Sequence, residues 1–79
     1  MYLKEKAKHE LLQELKRFPN QSQTFLIRRT LLKLEPDINQ YLQQQFKNLP
    51  KILINKEMKP ELISILRKHL TLILKERNL

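Results

Sequence analysis

The side chains able to act as nucleophile, base or metal ligand are few in this sequence. The candidate hydroxyl nucleophiles are Ser22, Ser64 and three threonines, the histidines are His9 and His69, and Asp37 is the sole aspartate. Nucleophilic catalysis needs a nucleophile held by a base that a third group orients, and no spacing here pairs such groups. With no glycine there is no Gly-rich loop to cradle a phosphate. The absence of cysteine removes disulfides and thiolate metal sites. His9 follows Glu5 by four residues, which puts both on one side of a helix. Yet "HELLQEL" lacks the second histidine of a zinc-protease helix and no further ligand cluster is visible, so a solvated histidine is the plainer reading. The expectation is a protein that is not an enzyme and holds neither metal nor cofactor.

Binding chemistry is better represented. Sixteen Lys and Arg stand against eight Asp and Glu, a formal charge of +8, which favours acidic partners. Within "FLIRRTLLKLEPD" the cations Arg28 and Arg29 lie between Phe25 and Leu32. Were this the wet edge of a buried helix, the residues beside the arginines would be polar. Aromatic, arginine and leucine together are instead the composition of an interface hot spot or of a base-stacking surface. Further along, Lys68 and Lys75 fall close together on the polar side of the last segment, with Arg67 further round and Arg77 near the end. Lysines spread in this way are most often a solvated face that keeps a greasy domain in solution.

Positioning these residues falls to helices. Leu, Lys, Gln, Glu and Arg dominate, Val is absent and Thr sparse, so a sheet lacks both its strand residues and its turn glycines. Pro19, Pro36, Pro50 and Pro60 mark the natural boundaries. Residues 3 to 17 set Leu3, Ala7, Leu11, Leu15 and Phe18 on one stripe. Asn20 or Ser22 can cap the next helix, residues 22 to 35, whose Leu26, Ile27, Leu31 and Leu34 share a face while Phe25 and Leu32 project opposite. The third segment opens on Pro36 and Asp37 and places Ile38, Tyr41, Leu42, Phe46 and Leu49 together, against a polar face of Asn39, Gln40, Gln43, Gln44 and Lys47. Asn48 is expected to end it in a left-handed cap. Residues 51 to 58 read as one helical turn or an extended link. The last segment, 60 to 77, carries eight leucines and isoleucines over an arc of roughly 200°, about twice what a one-sided surface helix needs. His69 falls inside that arc, as an interface or core histidine would.

Segments two and three, joined tightly at Glu35, Pro36 and Asp37, invite a helix-turn-helix reading, since Gln and Asn side chains can read adenine edges. Asp37 at the end that would approach DNA, and the lack of a turn glycine, count against it.

The sequence therefore predicts a single all-α domain over residues 1–79: a compact bundle of three or four short helices that a homodimer could complete. Its expected function is a non-enzymatic interaction module, a regulator or adaptor. It would hold a protein partner, or a second copy of itself, through apolar surface on the second and last helices at Phe25, Arg28, Arg29 and Leu32. The second expectation is a small basic protein that contacts nucleic-acid phosphates through Arg28, Arg29, Arg67, Lys68 and Lys75. Membrane binding is disfavoured, because no helix carries Trp and no apolar run spans a bilayer. The charged N-terminus is unlike a secretory signal, and a cytoplasmic location is expected.

Overall fold

A computed structural model describes residues 2–77. Its elements are α1 (Tyr2–Arg17), α2 (Gln23–Lys33), α3 (Glu35–Gln45), a short α4 (Lys51–Leu53), a π-helical turn (Ile54–Met58) and α5 (Lys59–Arg77). The fold is a compact all-α bundle with no strand among the described residues. The molecule is 43 Å long and 19 by 18 Å across.

The first connection is governed by a cap. Ser22 has extended backbone, and its Oγ accepts a hydrogen bond from the Phe25 N–H at 3.1 Å, so Ser22 and not Asn20 starts α2. The second connection is a single residue. Leu34, fully buried, both receives the end of α2 and begins α3, where Pro36 occupies a first-turn position that has no use for its missing N–H. Two ion pairs fasten the start of α3 to its neighbours: Asp37 to Lys6 of α1 at 2.9 Å, and Glu35 to Lys59 of α5. The Asp37 partner raises the Lys6 pKa above its ordinary value of 10.5, chiefly through that hydrogen bond. Both carboxylates in the first turn of α3 are thus engaged within the chain.

Two expectations are corrected here. No described residue has positive φ, so Asn48 is not a left-handed cap. Instead α3 stops at Gln45, capped at Phe46, whose N–H still reaches Leu42 and whose ring packs on the core; a turn from Phe46 to Leu49 then leads into Pro50. The second concerns Pro60, where the sequence placed a boundary. The chain is already helical from Lys51 and runs through the proline. Pro60 offers no N–H and its ring would press on the carbonyl of Lys56. The turn ahead of it widens to π form, with the Lys59 N–H bonded to Ile54 O.

The core gathers one face from each long helix: Leu3, Ala7 and Leu11 from α1, Leu26, Ile27 and Leu31 from α2, Ile38 and Leu42 from α3, and Leu62, Leu66, Leu70, Ile73 and Leu74 from α5. Helix α5 packs against α1, α2 and α3. The wide apolar arc read from its sequence is thus covered largely within one chain, leaving Ile65 and Leu72 exposed.

Candidate functional site

The α1 stripe does not continue from Leu11 to Leu15 as its core position. Its next fully buried side chain is Glu14, in phase with Leu3, Ala7 and Leu11, while Leu15 is half-buried beside it. Glu14 Oε1 lies 3.3 Å from Arg29 Nε and 3.2 Å from Lys33 Nζ, two cations four residues apart on α2. Its other oxygen, Oε2, is buried without a hydrogen-bond partner. Burial by itself would push the carboxyl pKa up; the Lys33 ammonium, and then the Arg29 guanidinium, outweigh it and hold the group below its ordinary value of 4.5. Above this ion pair the Phe18 and Phe25 rings meet edge to face, with centroids 5.4 Å apart at 77°. The Arg29 guanidinium sits 5.0 Å from the Phe18 centroid.

Phe25 and Arg29 therefore belong to the α1–α2 seam. Arg29 already has a carboxylate and an aromatic ring as partners, and Phe25 is half-buried against the core. Leu32 remains 66% exposed near the C-terminal end of α2. The four residues expected to form one partner-binding patch are divided between a packed seam and open surface.

Arg28 goes the other way. A helix turns about 100° per residue, so the side chain before Arg29 leans toward α5. There Gln23, Thr24, Ile27 and Arg28 of α2 and Arg67 and Thr71 of α5 line one cleft of about 370 Å³. The Thr71 hydroxyl donates back to the Arg67 carbonyl at 2.8 Å, which leaves the guanidinium as the charged group of that wall. Arg67 also borders a second surface depression, shared with Ser64, Lys68, Thr71 and Leu72 on the outer side of α5. Lys75, four residues past Thr71 and seven past Lys68, continues the same side. Arg28, Arg67, Lys68 and Lys75 are all exposed, and among the described residues none is within ion-pair distance of a carboxylate. Of the five cations in the nucleic-acid expectation, four thus share one face and Arg29 does not.

The other residues singled out from sequence lie elsewhere. His9 and Glu5 are exposed on α1, with Gln13 Nε2 3.1 Å from the His9 ring nitrogen Nε2. His69 is half-buried on α5. Among the described residues no three His, Cys, Asp or Glu side chains come together in a way that could hold a metal ion. No described helix is long and apolar enough to cross a membrane. Sequence reasoning missed Glu14; the signal was its spacing from Leu3, Ala7 and Leu11, together with the Arg29 and Lys33 pair one turn apart.

No protein-family model, curated protein or solved structure matches this chain.

Proposed function

We propose that this protein is a non-catalytic binding module of the cytoplasm that holds nucleic acid by its phosphate backbone, on the face formed by Arg28 of α2 and Arg67, Lys68 and Lys75 of α5. The observation that carries this reading is the convergence of Arg28 and Arg67, from two different helices, on one cleft that no carboxylate lines. Charges spread for solubility are commonly interspersed with acids. Here Glu14, Glu35 and Asp37 are engaged by Arg29, Lys33, Lys59 and Lys6 away from this face, and Glu61 and Glu76, exposed on α5, line neither the cleft nor the depression beside it. Arginine suits the role because its planar fork can grip two phosphate oxygens at once.

A titration of labelled duplex DNA, followed by fluorescence anisotropy across a salt series, tests it. Four phosphate contacts give a log–log slope of about −3 to −4. Replacing Arg67, Lys68 and Lys75 by Ala should flatten that slope by about 3. Replacing the exposed Lys8, Lys47 and Lys56, an equal loss of charge elsewhere, should change it far less. Equal effects from the two triple variants would refute a placed face and leave only net charge.

One observation favours a second reading, a regulator or adaptor bound to an acidic protein or to a second copy of the chain. Leu32 and Leu72, 66% and 58% exposed, stand on the outer surfaces of α2 and α5. Under that reading Leu32→Ser and Leu72→Ser abolish binding to the partner, or dissociate the dimer in a sedimentation experiment, while phosphate binding is untouched.

A further inference from the structure

We infer that the cleft between Arg28 and Arg67 takes a terminal phosphate monoester, so that the protein holds nucleic acid by a phosphorylated end. This inference rests on the phosphate-binding reading above and adds which phosphate enters the cleft.

The argument is one of charge and shape. Two guanidinium groups face the cleft, and the rest of its lining is neutral: the Gln23 carboxamide, the Thr24 and Thr71 hydroxyls and the Ile27 side chain. An internal phosphodiester carries one negative charge, whereas a phosphate monoester carries about −1.5 to −2 near neutral pH and exposes three acceptor oxygens. The monoester therefore matches the two arginines in charge, and has enough oxygens for both forks to bind it in the bidentate manner. Shape points the same way. An internal phosphate brings a strand running off in two directions, which suits the open side of α5 with Lys68 and Lys75. A cleft of about 370 Å³ lined by two helices has room for the phosphate group of a strand end. Lys68 and Lys75, on the adjoining outer surface of α5, are placed to meet the phosphates that follow.

The test compares two duplexes of one sequence, the first with 5′-phosphates and the second with 5′-hydroxyls, binding the full chain in the same salt series. A third arm adds inorganic phosphate as competitor. The 5′-phosphorylated duplex is expected to bind about tenfold more tightly, a difference of about 1.4 kcal/mol. Inorganic phosphate should erase the preference before it displaces the duplex. Arg28→Gln and Arg67→Gln, both at exposed positions, should each abolish the preference while circular dichroism shows the helical fold retained. Equal affinity for both duplexes, with the salt slope intact, overturns this inference and leaves the face as a binder of internal phosphates. No binding of either duplex near 150 mM salt overturns the reading on which it rests.

Discussion

Replacing Glu14 and replacing its two partners are opposite perturbations of one contact, and the burial of the three side chains decides which costs more. Glu14 is fully buried, whereas the Arg29 and Lys33 side chains keep 37% and 35% of their surface in water. In Glu14→Met the two cations swing outward and a well-packed apolar group fills the space, an exchange that runs from neutral to stabilising. In the double variant Arg29→Met with Lys33→Met, a carboxylate stays in the core with neither oxygen paired, and breaking a buried pair in this way costs about 3–5 kcal/mol. A domain of 79 residues has about 4–12 kcal/mol of stability in all, so the double variant loses about a quarter of it or more.

The pH dependence carries an independent signature. Because the folded-state pKa of Glu14 lies below 4.5, the unfolded chain takes up the proton first as the solution is acidified. The contribution of Glu14 to stability is therefore complete above that value and is lost as pH falls through the folded pKa. Glu14→Met should flatten this acid limb. In the double variant burial acts without the cations, the carboxyl pKa moves above the unfolded value, and stability should rise as pH falls through that interval. Urea unfolding followed by circular dichroism, in steps from about pH 7 to about pH 3, reads both effects. A Glu14→Met protein as destabilised as the double variant, or a double variant with the native acid limb, would refute the assignment of Glu14 as a buried carboxylate held ionised by α2.

Other consequences of the packing are as direct. Leu66 is fully buried on α5, so Leu66→Ala should lower the unfolding free energy by about 2–5 kcal/mol in urea titration, with the slope against urea unchanged. Ser22→Ala removes the one side-chain cap of α2 and should cost about 0.5–2 kcal/mol. Asn20→Ala should lie within experimental error of the parent, since Ser22 supplies the cap, and a larger loss from Asn20→Ala would reverse their roles.

Much of the fold was legible in the sequence because apolar periodicity and proline placement report it directly. The faces of α1, α2 and α3 follow from residues three and four apart, and the absence of glycine with few β-branched residues leaves helices as the only economical structure. What failed were features decided by contacts between segments. Asn48 has the right neighbours for a left-handed cap, yet the docking of Phe46 on the core ends α3 one turn earlier. Pro60 has the local chemistry of a helix breaker, but burial of Ile54 on one side of it and Leu62 on the other holds the helix together, and the strain is taken up by a π turn. Glu14 was passed over because a charged residue on a core stripe reads as an error of phase unless its partners, fifteen and nineteen residues away, are known.

The same limit applies to the two arginines in the middle of α2. As neighbours in sequence they read as one basic patch, and with Phe25 and Leu32 as one interface. The helix separates them by about 100°, and α2 packs on both α1 and α5, so that turn is enough to give each a different neighbour. Arg29 meets a buried carboxylate and two aromatic rings, and its charge is spent on stability. Arg28 meets Arg67, a like charge, across a cleft with no acid on its walls. No carboxylate is within ion-pair distance of Arg28 among the described residues, so folding gains nothing from its charge. Arg28→Ala should therefore leave stability unchanged or slightly raised while weakening phosphate binding, and Arg29→Ala should lower stability with little effect on the salt slope. Unfolding and anisotropy titrations on these two variants separate the roles of adjacent, identical residues, and the opposite pattern would mean that the binding face lies on the α1 side of α2.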